Sequence, residues 1–168
     1  EARAAVEAAI NFNGPVYIRF GRLAVPVIYD EASYKLEIGR GIKMADGSDV
    51  TIIATGVTVA MALEARATLA AEGIDAAVVN IHTIKPLDRE LVIAEARKTG
   101  AIVTAEEHNI IGGLGEAVCA ATAEAYPVPV LRVGVEDRFG RSGKVPPLLE
   151  MYGITPANIA AKAREAVK

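Results

Sequence analysis

The chain has 168 residues, a hydrophobic fraction of 52% and a formal net charge of −3, which suits one globular domain of roughly 100–200 residues with a sizeable core. Nothing in that balance gives the basic face that nucleic-acid binding needs. No apolar run approaches the ~18 residues of a membrane span and no signal-like start is present, so neither nucleic acid nor membrane is expected as a partner.

Residues 1–10, EARAAVEAAI, read as helix from the first residue, which fits a piece of a longer polypeptide. Asn13-Gly14-Pro15 marks a turn, and VYIRF, residues 16–20, reads as a strand. Residues 21–48 show little periodicity and several turn residues. They read as a linker in which Tyr34 to Ile38 can form an edge strand. From Asp49 strands and helices alternate: strand 49–55, helix 57–73, strand 75–82, and helix 89–99 with Asp88 as N-cap. Next come strand 101–107, a glycine-rich loop, a helix over about 113–125, and strand 129–135. Residues 136–147 form a polar loop, 148–153 a short helix, and Thr155-Pro156 opens the last helix as N-cap and first helical position. Alternation with short connections predicts a mainly parallel sheet with helices on both faces and right-handed crossovers. Aromatic residues are only 5% of the chain, and small helices packed on a β-branched sheet need few of them. The single cysteine, Cys119, forms no internal disulfide; it reads as a buried, reduced residue, which suits a reducing, cytoplasmic setting.

Five stretches carry functional residue types. EEHNIIGGLGEAV, residues 106–118, follows a strand end, where open α/β sheets bind ligands. His108 can serve as an acid–base group with Glu106 or Glu107 beside it, or the loop can be a domain contact, with glycines that let the helix sit close to the sheet. The spacing is GGxG rather than GxGxxG. Thr55-Gly56-Val57-Thr58 is a strand-to-helix turn whose N–H groups can hold an anion, as in every α/β fold. His82, in His82-Thr83-Ile84-Lys85-Pro86, can approach His108 if their strands are neighbours, but no metal-ligand spacing is present. Asp137 to Lys144, DRFGRSGK, carries Arg138, Arg141 and Lys144 and suits a phosphate, a partner's carboxylate or plain solvation; it lacks P-loop spacing. Finally, Arg19 and Arg22 sit at the end of the VYIRF stretch, where a planar fork can take a phosphate.

In this order GPVYIRFGR, TIIATGVTVAMALEA, NIHTIKPLD, EEHNIIGGLGEAV and DRFGRSGK resemble the C-terminal part of transketolase over nearly the whole chain. The likeness is greatest to transketolases whose C-terminal section is a separate subunit. Deoxyxylulose-phosphate synthases and the β subunits of 2-oxo acid dehydrogenases are more distant relatives. The resemblance implies an α/β, three-layer αβα fold, with a five-stranded, mostly parallel sheet and one antiparallel edge strand at Tyr34 to Ile38. It implies that residues 1–22 are the tail end of a pyrimidine-binding domain, 23–48 a linker, and 49–168 the C-terminal domain. The parent enzyme would move a two-carbon ketol unit between sugar phosphates with thiamine diphosphate and Mg²⁺ or Ca²⁺, as a homodimer. Its partner would be the N-terminal part or subunit. This chain alone would bind no cofactor or metal and supply no catalytic residue. Aligned without a gap on GPVYIRFGRLAVP, Arg22 falls on the arginine that binds the substrate phosphate in the family. His108, Asn109, Gly113, Arg138 and Arg141 would lie at domain or dimer contacts. The alternatives are a fragment of a dehydrogenase β subunit or synthase relative, and a freestanding ligand-binding or regulatory module.

Overall fold

The computed structural model of the chain describes residues 1–22 and 24–168. The first residue of the expected linker, Leu23, lies outside the described residues. Helix α1 (Ala2–Ile10) precedes a sheet domain in the order β1 (Ile42–Ala45), β2 (Val50–Ala54), α2 (Thr58–Ala71), β3 (Ala76–Asn80), α3 (Arg89–Thr99), β4 (Ile102–Asn109), α4 (Leu114–Ala125), β5 (Val130–Val135), α5 (Val145–Met151) and α6 (Pro156–Ala166). The strands form one sheet in the order β1-β3-β2-β4-β5. β1 runs antiparallel to β3, and the other pairs are parallel. The α/β class and the five-stranded, mostly parallel sheet with one antiparallel edge are as the sequence led us to expect.

The apolar residues alternate between two cores, as strand period demands. Ile52, Ala54, Val78 and Val103 face Val59, Leu69, Ile159 and Ala163 of α2 and α6. Ile53, Val79, Ile81 and Ile102 face Val92, Ala96, Leu114 and Val118 of α3 and α4. Buried on both faces, β2 and β3 have no exposed position. Two helices start where local signals place them. The Asp88 carboxylate accepts the Leu91 N–H at 3.1 Å, and Thr155 Oγ accepts the Asn158 N–H at 3.2 Å.

Two sequence expectations need correction. The antiparallel edge strand is Ile42–Ala45, not Tyr34 to Ile38. Tyr34 to Ile38 alternates in polarity, Ile42–Ala45 only in part, and tertiary contacts decide between them. Tyr34 is drawn off the sheet, with its ring 4.2 Å from that of Tyr29 and its hydroxyl donating to Glu1. Met44 and Ala45, in contrast, pack on the α2 core. Residues 16–20 form no strand. A strand needs a neighbour for its N–H and C=O groups, and among the described residues neither edge strand, β1 or β5, pairs with this stretch.

Candidate functional site

The carboxyl ends of the parallel strands bring together most of the stretches that the sequence marks. β4 ends in Glu106-Glu107-His108-Asn109. Glu106 is 1% exposed on the α4 side. One carboxylate oxygen accepts the Leu114 N–H at 2.7 Å, and the other accepts the Gly115 N–H at 2.8 Å. These are orphan donors at the start of α4, where the helix dipole also favours negative charge. The residue in the N-cap position, Gly113, has no side chain to do this. It must lack one, because a Cβ there would stand 2.0 Å from a Glu106 carboxylate oxygen. Gly113 is therefore buried with an internal cause for its identity.

His108 is half exposed. Its Nδ1 lies 2.7 Å from the Asn109 carbonyl oxygen, an acceptor only, so Nδ1 carries the proton and donates it. Nδ1 is 3.9 Å from the nearer Glu106 oxygen, beyond hydrogen-bond range. With both Glu106 oxygens committed to α4, the two do not form an acid–base pair. The Asn109 side-chain oxygen accepts the Ile111 N–H at 2.8 Å, a local turn bond. The segment is thus a turn and a helix cap whose outer side shows His108, Asn109 and Ile111.

The neighbouring strand ends are also internally satisfied. Thr58 Oγ lies 2.8 Å from the Thr55 carbonyl oxygen and 2.7 Å from that of Ala105, and it accepts the Thr55 N–H at 3.3 Å. The turn at Gly56 is tied to both β2 and β4 by that hydroxyl. His82 follows β3, while His108 is on β4, and β2 lies between those strands. The two histidines are therefore not on neighbouring strands, and the approach that would place them together does not occur. Burial pushes the His82 imidazole pKa down, against a smaller upward pull from Glu1, and its Nδ1 pairs with the Thr83 hydroxyl at 2.9 Å. Cys119 is a free, partly buried thiol with its pKa raised by burial.

Residues 13–22 and 24–27 leave large apolar side chains exposed: Tyr17 is 89% exposed and Val27 91%. Arg19 donates to the Glu107 carbonyl oxygen at 3.2 Å. Arg22 is exposed at a bend, without a hydrogen-bonding partner among the described residues. In the 136–144 loop, Arg138 faces Glu136 at 3.5 Å and the Tyr152 hydroxyl donates to the Phe139 carbonyl at 2.8 Å, leaving the Phe139 ring fully outward. Arg141 is exposed.

Sequence reasoning missed two features. One is a polar cluster in which Asn80, wholly buried, donates to Glu1 and Tyr29. Burial, with Glu1 nearby, pushes the Tyr29 hydroxyl up to about 12. An asparagine in an apolar strand was the only signal. The other is the irregular pairing of β4 with β5 between Ala105 and Asn109, for which Gly134 was the signal.

The donor set does not fit a diphosphate and its metal. The α4 N-terminus is filled by Glu106, the Gly56 turn is closed by Thr58, and no group of three or more His, Cys, Asp or Glu suited to a metal ion occurs among the described residues. Among the same residues no helix is long and apolar enough to cross a membrane.

Comparison with known proteins matches the description "Transketolase, C-terminal domain" over residues 39–159. A 6-deoxy-6-sulfo-D-fructose transketolase subunit of Clostridium sp. (strain MSTE9) is 44% identical over 168 residues, covering 100% of this chain and 52% of that protein. A 1-deoxy-D-xylulose-5-phosphate synthase of Heliobacterium modesticaldum (strain ATCC 51547 / Ice1) is 45% identical over 162 residues, covering 95% of this chain and 25% of that protein. A solved split-gene transketolase, described as an inactive β4 tetramer, superposes with a TM-score of 0.95 at 50% identity, over 98% of this chain and 54% of that one. The chain thus spans about half the length, or less, of these relatives.

Proposed function

As this chain belongs to the transketolase C-terminal domain family, we propose that it is the C-terminal portion of a transketolase, an enzyme that moves a two-carbon ketol unit between sugar phosphates. In this reading residues 1–22 are the end of a preceding pyrimidine-binding domain, 23–48 a linker that carries the edge strand β1, and 49–168 the rest of the C-terminal domain. The complete enzyme is cytoplasmic and dimeric. It uses thiamine diphosphate with Mg²⁺ or Ca²⁺, which supply the carbanion chemistry when bound elsewhere in the assembly.

The observation that carries this reading is the surface of residues 1–27. Ile10 is 76% exposed, Phe20 53%, Tyr17 89% and Val27 91%, and α1 has no buried residue. Several large apolar side chains left exposed on one stretch of chain suit an interface, and the partner that fits it is the N-terminal part or subunit of the parent enzyme. His108 and Asn109 at the end of β4, with Arg138 and Arg141 in the 136–144 loop, extend the contact surface, and Gly113 serves it indirectly by leaving room for the Glu106 carboxylate that caps α4. Arg22 presents its guanidinium to the sugar's phosphate. A planar fork matches two phosphate oxygens at once, contributing orientation and ~2 kcal/mol or more.

The test is ketol transfer by the pure chain and by the chain in its complete polypeptide or paired with its N-terminal subunit. Transfer is expected only in the assembly; turnover by the isolated chain would overturn the reading. The 45% identity to a synthase favours a second reading, a parent that makes 1-deoxy-D-xylulose 5-phosphate, and product analysis of the assembled enzyme separates the two.

A further inference from the structure

The segment that carries Arg22 is exposed and forms no helix or strand. Among the described residues, one hydrogen bond joins residues 13–27 to the rest of the chain: Arg19 Nη1 donates to the Glu107 carbonyl oxygen at 3.2 Å. That carbonyl is available for a specific reason. β4 pairs with β2 only as far as Ala105. On its other side the register with β5 passes from Ala105↔Val133 to Asn109↔Val135. Residues 106–108 of β4 therefore stand opposite the single residue 134, and Glu107 has no ladder partner on either side. This is a β-bulge, a device that re-aims groups beside functional sites.

Gly134 makes the bulge possible. A Cβ there would lie 2.9 Å from the His108 carbonyl oxygen, 3.0 Å from Ile110 Cγ2 and 3.3 Å from Glu106 Cγ. A side chain at 134 would push the bulged backbone outward and carry the Glu107 carbonyl with it. The dependence runs from Gly134 to the bulge, from the bulge to a free carbonyl, and from that carbonyl to Arg19. Arg22 follows three residues on, at most about 10 Å of extended chain.

The geometry points to Arg19 as a positioning residue: its bond to the bulged Glu107 carbonyl fixes the segment that presents Arg22 to the substrate phosphate. This rests on the reading of Arg22 given above. A charged donor to a carbonyl is among the stronger hydrogen bonds, and small displacements of a binding group have large kinetic effects. Arg19 acts through Arg22 rather than beside it, so the two must be non-additive.

The experiment uses the assembled enzyme with Arg19→Gln, Arg19→Lys, Arg22→Gln and the double variant Arg19→Gln/Arg22→Gln. KM and kcat are measured with a phosphorylated sugar and with its unphosphorylated counterpart, and Tm is recorded for each. Arg19→Gln should raise KM for the phosphorylated sugar about tenfold, the equivalent of one such bond, while kcat, Tm and KM for the unphosphorylated sugar stay within about twofold or unchanged. Arg19→Lys, which keeps a cationic donor, should recover most of the loss. The double variant should be no worse than Arg22→Gln alone. An additive double variant overturns the inference, since Arg19 would then act on its own. So does an Arg19→Gln enzyme that keeps full phosphate discrimination while Arg22→Gln loses it. If Arg22→Gln itself leaves KM for the phosphorylated sugar unchanged, the reading of Arg22 fails and the inference falls with it.

Discussion

Residues 50–54, 76–80 and 101–106 are buried at every position, whereas no described residue of 1–27 is buried. The two regions share one chain and a similar apolar content, yet only one closes its own core. The sheet domain satisfies its strands with each other and its helix ends with Asp88, Glu106 and Thr155. The N-terminal region instead shows Ile10, Tyr17, Phe20 and Val27 to solvent and is held by a few polar contacts: Glu1 with Asn80, Arg3 with Glu31, and Arg19 with Glu107. Burying a large apolar side chain is worth about 1.5–3 kcal/mol. A surface with several left open has its stabilising contacts outside this chain. The difference teaches where to look for stability and where to look for assembly.

The contrast is broken most strongly from the sheet side. Gly113→Ala places a Cβ on the Glu106 carboxylate, displaces a buried charge and should destabilise the isolated chain by roughly 3 kcal/mol, or about 10 °C in Tm. Thermal denaturation followed by circular dichroism reads this, and a shift under about 2 °C would deny Glu106 its capping role. Glu106→Gln is next. An amide offers one acceptor where two N–H groups wait, for a loss of about 2 kcal/mol by chemical denaturation.

A change in the open region should behave in the opposite way. Tyr17→Ser with Phe20→Ser should leave the isolated chain within about 0.5 kcal/mol of its parent. The same pair should weaken association with the N-terminal part at least about tenfold, since two large apolar contacts are lost. Equal affinity in a titration would place the interface elsewhere.

The smallest effect lies on the seam between the regions. Burial holds the His82 pKa below its ordinary value of 6.5, so the unfolded chain takes up the proton first as pH falls. The contribution of His82 is then complete above about pH 6.5 and is lost as pH drops toward the folded-state pKa. Glu1, which acts on His82, is itself bonded to Asn80 and Tyr34. His82→Gln should flatten the decline of stability as pH falls below about 6.5, and an unchanged slope would show that another group carries it.

Most of the sheet domain was legible because its signals are local. Asp88 and Thr155 sit one residue before the helices they cap, and β2 and β3 are short apolar runs bounded by turns. The edge strand was misplaced because Tyr34 to Ile38 alternates in polarity more regularly than Ile42–Ala45, where Met44 and Ala45 are both apolar. Tyr34's engagement with Tyr29 and Glu1, and the packing of Met44 and Ala45 on the core, separate them. VYIRF reads as a strand because its residues favour one, but propensity supplies no neighbour to pair with. In the candidate site, EEHNIIGGLG drew the eye for its histidine and glycines, whereas its working residue is Glu106, eight positions before the N–H it caps. Neither that reach nor the bulge opposite Gly134 is visible without the sheet that brings them together.

The contrast between a closed sheet domain and an open N-terminal region is tested most directly by amide hydrogen exchange, on the isolated chain and on the assembled enzyme. Residues of β2, β3 and β4 should be strongly protected in both. Residues 13–27, apart from their single tether at Arg19, should exchange at close to unprotected rates in the isolated chain and become protected on assembly. Strong protection of 13–27 in the isolated chain, or none in the assembly, would contradict the account.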